Sequence, residues 1–107
     1  MLDGFWTVSF SATTDMGAGV IAIQGGKATG GDSSFTYIGT ITEDESGNFA
    51  GELKVDRHNN LLPAVIPGMD NYTLAISGRV SGASFEATGR VKGNESIQMT
   101  IKGKKVA

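Results

Sequence analysis

The sequence predicts a single all-β domain over residues 1–107, an antiparallel up-and-down barrel of about eight strands. Three observations predict it. Apolar and polar residues alternate with a period of two along most of the chain, the signature of half-buried strands. Turn-forming pairs such as Gly25-Gly26, Ser81-Gly82 and Gly93-Asn94 recur at short intervals. No segment carries the 3.6-residue period of an amphipathic helix. Rolling such a meander into a closed barrel removes its exposed edges.

The first strand is expected from Gly4 to Thr13, with Trp6, Val8, Phe10 and Ala12 on one face. Asp15 to Gly17 reads as a turn, and Val20 to Gln24 as the second strand. Adjacent glycines supply positive φ without steric cost, so Gly25-Gly26-Lys27 reads as a hairpin turn before a short strand, Ala28 to Gly30. Ser34 to Thr42 follows, with Phe35, Tyr37, Gly39 and Ile41 inward. An acidic turn, Glu43 to Asn48, leads to the cleanest alternation in the chain, Phe49, Gly51, Leu53 and Val55 against Ala50, Glu52, Lys54 and Asp56. His58 to Asp70 is the one long irregular stretch and holds both prolines, Pro63 and Pro67; its apolar pairs predict packing across a barrel end or against a partner. Three strands close the chain: Tyr72–Val80, Ser84–Lys92 and Ser96–Lys102.

Composition narrows the function. Nine basic against eleven acidic side chains give a net charge of −2, whereas nucleic-acid binding draws most of its affinity from a positive excess. Lys102, Lys104 and Lys105 read as a solvated tail. With no cysteine there is no disulfide framework or thiolate site, and Met1 to Trp6 lacks the regions of a secretory signal, so a cytoplasmic location is expected. No apolar run approaches the roughly 18 residues of a membrane helix. Sixteen glycines, about twice the usual share of roughly 7%, suggest strands that bend or that leave internal space.

Chemistry-bearing constellations are sparse. The one histidine, His58, lies two residues from Asp56, but no nucleophile motif and no second histidine accompany it. Gly25-Gly26-Lys27-Ala28 lacks the spacer and hydroxyl residue of a phosphate loop. A non-enzymatic protein with no metal and no cofactor is therefore expected. Two binding features remain. Glu43, Asp44 and Glu45, with Ser46, form an acidic tip suited to a basic protein partner. Inside the barrel, Trp6, Phe10, Phe35, Tyr37 and Phe85 either fill a dry core or line a cavity for a small apolar ligand or lipid, since eight strands enclose just that much room. The apolar residues Leu61, Leu62, Val65 and Ile66 are candidates for a homodimer surface.

Asp3-Gly4-Phe5-Trp6, Thr29-Gly30-Gly31-Asp32, Tyr37-Ile38-Gly39, Glu43-Asp44-Glu45 and Asp56-Arg57-His58-Asn59 occur in an order that resembles the GrlR family of bacterial repressors, negative regulators of type III secretion. The resemblance covers Leu2 to about Tyr72. It implies a dimeric, lipocalin-like β-barrel that sequesters a transcriptional activator through an acidic turn, here Glu43, Asp44 and Glu45 with Ser46 in the fourth place.

Overall fold

The computed structural model describes residues 1–12, 15–62, 64–66 and 68–107. Its eight strands are β1 (Gly4–Ser11), β2 (Met16–Gln24), β3 (Lys27–Gly31), β4 (Phe35–Glu43), β5 (Asn48–Arg57), β6 (Asn71–Ser81), β7 (Ser84–Val91) and β8 (Asn94–Lys105). Each runs antiparallel to the next, and β8 pairs back onto β1 to close the barrel. Among the described residues there is no helix, hence none long and apolar enough to cross a membrane. The fold is the closed eight-stranded antiparallel barrel that the alternation predicts, and it is consistent with the lipocalin-like barrel that the resemblance implies.

Successive side chains of a strand point to opposite faces, so one residue in two enters the barrel. Phe49, Leu53 and Val55 of β5 are buried in this way, as are Leu74, Ile76 and Val80 of β6. The β2–β3 hairpin turns on Gly25 and Gly26, whose φ values of 57° and 82° give the doubly positive turn that matches strand twist.

The inward glycines are where strands crowd together. A Cβ on Gly39 would sit 1.8 Å from the Glu52 carbonyl oxygen, and one on Gly51 would sit 2.1 Å from that of Thr40. These positions permit close backbone approach and tight coiling between β4 and β5; they do not leave internal space.

Two strand limits differ from expectation for one shared reason. β2 begins at Met16, not after a turn at Asp15–Gly17, and β8 continues to Lys105. Lys102, Lys104 and Lys105 are thus part of the barrel-closing strand and not a tail. In both cases the inward position is a glycine covered by an aromatic ring from the directly paired residue. Phe10 pairs with Gly17, and Phe85 with Gly103, and each ring fills the space a side chain would occupy. β1 ends at Ser11; Thr13, expected as its last residue, lies outside the described residues, as do Pro63 and Pro67. The other limits shift by a residue or two.

The barrel has two unlike ends. At one, Trp6 is wholly buried, its indole N–H donates to the Leu2 carbonyl at 2.8 Å, and its ring lies 4.9 Å from that of Phe85. Leu2 is buried beside it. This end is sealed. At the other end, the segment between β5 and β6 packs across the opening, with Ala64 and Ile66 in the core. Arg57 anchors it: Nε donates to Asp70 at 2.8 Å, and Nη1 donates to the carbonyls of Asn59 and Leu62 at 3.0 and 3.1 Å.

Candidate functional site

A cavity of about 280 Å³ runs along the barrel axis. Its walls are the inward faces of the strands, including Val8, Ile21, Leu53, Leu74, Ile76 and Met99. Of the five aromatic residues expected to line it, Phe10, Phe35, Tyr37 and Phe85 do so. Trp6 does not: it is the plug beneath the sealed end, because its N–H needs the Leu2 carbonyl and its ring needs Phe85. The opposite end is rimmed by Met16, Leu62 and Val65, of which Met16 and Leu62 are 77% and 52% exposed.

The lining is apolar except at this rim. Asp32, in the β3–β4 turn, faces the cavity beside Ser33 and Ser34. Its Oδ1 accepts the backbone N–H groups of Ser34 and Phe35, each at 2.8 Å, and its Oδ2 accepts the Tyr37 hydroxyl. Asn59 donates to the Ser33 carbonyl and the His58 ring to that of Asp32, which ties the turn to the end of β5. Tyr72 completes the polar patch. Asp32 and Tyr72 are not singled out by sequence as site residues. The available signals were the inward placement of Tyr72 and the Thr29–Asp32 motif.

Burial pushes the Tyr37 hydroxyl well above its usual range, with the Asp32 hydrogen bond and charge adding to it. Burial, followed by the Asp32 charge, pushes Tyr72 up to about 12. A tyrosine whose folded pKa is raised contributes stability that is fully present below its unfolded value near 10 and is lost as pH rises. These are the only two tyrosines in the chain. Above pH 10, then, stability should fall by about 1.4 kcal/mol per pH unit for Tyr37 alone. The Tyr72 contribution should be exhausted near pH 12. Tyrosinate absorbance should rise together with loss of β-sheet circular dichroism, and Tyr37→Phe should flatten the alkaline slope. Titration of both tyrosines in a barrel that stays folded would contradict this placement.

The acidic turn lies at the sealed end and two of its three carboxylates are engaged by the chain itself. Glu43 Oε1 accepts the Leu2 backbone N–H at 2.9 Å, and Oε2 lies 3.1 Å from the Met1 amine. The Leu2 bond is the main reason that its pKa falls. Asp44 Oδ1 accepts the backbone N–H groups of Ser46 and Asn48 at 2.8 and 3.0 Å, which lowers its pKa and closes the turn. Glu45 is exposed and no hydrogen bond or ion pair engages it among the described residues. Ser46 is exposed, and its backbone N–H is spent on Asp44.

The expected dimer surface divides. Leu61 and Leu62 are exposed, Val65 is half-buried at the cavity rim, and Ile66 is buried in the core and so belongs to no surface. Among the described residues no three of His, Asp and Glu converge as metal ligands. No known family model matches the chain, and no curated protein matches it.

Proposed function

We infer that the protein binds one small apolar ligand inside the barrel, taken in through the end rimmed by Met16, Leu62 and Val65. The supporting observation is the cavity. Apolar cavities of about 150 Å³ already stay dry and accept a benzene ring, and this one is about 280 Å³. Ligand pockets begin near 300 Å³. An apolar ligand placed there removes apolar surface from water. Among the described residues the cavity wall is mostly apolar and holds no histidine, lysine or cysteine, which favours a binding role, as carrier or as sensor.

Regulation by sequestering a transcriptional activator, which the GrlR resemblance implies, would fall to the acidic turn. With Glu43 and Asp44 engaged internally, Glu45 is the carboxylate left for a partner. The cavity therefore carries the reading.

Native mass spectrometry of gently purified protein should show an adduct with one small molecule per chain. Ala87 lines the cavity, and Ala87→Leu should fill part of it. That variant should lose the adduct and gain about 0.5–2 kcal/mol of stability. In a solidly packed interior the same change would overpack and destabilise by about 1–3 kcal/mol. A clean apo mass together with a destabilised Ala87→Leu would reject the reading.

A further inference from the structure

We propose that the cavity selects an apolar ligand whose polar end donates hydrogen bonds, a primary alcohol or an amine, and rejects one that ends in a carboxylate. This rests on the reading of the cavity as a ligand site and assigns its head-group chemistry.

Asp32 is the one charged side chain in the cavity wall; among the described residues no lysine, arginine or histidine lines it. The carboxylate is held rigidly by three donors of its own chain, the N–H groups of Ser34 and Phe35 and the Tyr37 hydroxyl. A carboxylate offers about four acceptor positions, so at least one remains for a ligand. Tyr72 lies in the same wall, and no hydrogen bond engages its hydroxyl among the described residues. An ammonium group can donate one proton to the Tyr72 oxygen and another to Asp32, whereas a hydroxyl has a single proton, which goes to Asp32.

An anionic head finds no counter-charge there. The nearest cation is Arg57, whose guanidinium carbon lies 4.9 Å from the centre of the Phe35 ring. Its Nε and Nη1 donors are committed to Asp70 and to the carbonyls of Asn59 and Leu62, and its charge is paired with Asp70. A ligand carboxylate would sit beside the Asp32 carboxylate against an apolar wall, where water screens repulsion poorly. A donor head makes a charge-assisted hydrogen bond in the same place, one of the stronger polar contacts available.

The test is competition against the neutral fluorescent probe N-phenyl-naphthylamine by decylamine, decanol and decanoic acid, which share a chain and differ in the head. At neutral pH the amine should displace the probe about tenfold or more better than the acid, with the alcohol between them. Asp32→Asn keeps an amide oxygen to accept the Ser34 and Phe35 N–H groups, and it should erase the difference between amine and acid. Tyr72→Phe should weaken the amine, which loses its second acceptor. Equal displacement by all three ligands, or a gap that survives Asp32→Asn, would overturn the head-group assignment alone. Failure of the probe and of every chain to bind would instead overturn the cavity reading, and this assignment with it.

Discussion

Replacing Gly39 by alanine should abolish the folded barrel. The added Cβ would lie 1.8 Å from the carbonyl oxygen of Glu52, 2.8 Å from its carbonyl carbon and 2.9 Å from the Leu53 Cα. All three are backbone atoms of the neighbouring strand, so no rotamer change relieves the contact. Gly39 pairs with Leu53 on one side and Ala28 on the other, so relief requires prising β4 from β5 in a closed structure. A loss above about 4 kcal/mol is expected, the range reserved for backbone or core disruption. Gly25→Ala is the control. Its Cβ meets nothing within 4 Å, and its φ of 57° makes the change cost about 1–2 kcal/mol. Urea unfolding of both variants separates the cases; a Gly39→Ala barrel as stable as Gly25→Ala would show that the strands do not approach this closely.

Trp6→Ala should be the most damaging side-chain truncation. Trp6 is 0% exposed and joins three groups: the Leu2 carbonyl, the Phe85 ring and the Lys105 ammonium, 5.9 Å from the indole. Removing a buried tryptophan costs about 3–5 kcal/mol, and each kcal/mol lowers Tm by about 4–8 °C in a domain of this size. Trp6→Phe retains a ring against Phe85 but leaves the Leu2 carbonyl without its donor, and should cost about 1–3 kcal/mol. Calorimetry of the two variants checks the order, and a smaller loss for alanine than for phenylalanine would contradict the role of Trp6 as a plug.

The barrel was legible because the inward set is written almost without error. Phe35, Tyr37 and Ile41, or Phe49, Leu53 and Val55, fall where a period of two places them, and all are buried. Legibility failed at two strand ends where glycine occupies the inward position. At Gly17 and Gly103 the core-facing group is the ring of Phe10 or Phe85, supplied by the opposite strand. A pattern read along one strand cannot register a side chain contributed by another.

The candidate site was legible in part for the same reason. Four of the five aromatic residues meet in the cavity wall, whereas Trp6 is drawn out of it by its hydrogen-bonding group. Asp32 is seventh in a glycine-rich run beginning at Gly26, where a carboxylate reads as turn chemistry. Its cavity role depends on Tyr37, five residues on, folding back onto it across the β3–β4 turn. The acidic turn illustrates the converse. Its charge is evident from sequence, but the commitment of Glu43 to Leu2 spans 41 residues and emerges only when the barrel closes.

Methyl resonances followed by solution NMR during titration with N-phenyl-naphthylamine test the central claim most directly. The interior methyl groups of Val8, Leu74, Ile76 and Met99 should shift and saturate at one equivalent, while those of Val20 and Ile38, 40% and 59% exposed on the outer face, stay in place. Shifts confined to Val20 and Ile38, or none at saturating probe, would contradict a ligand-holding interior.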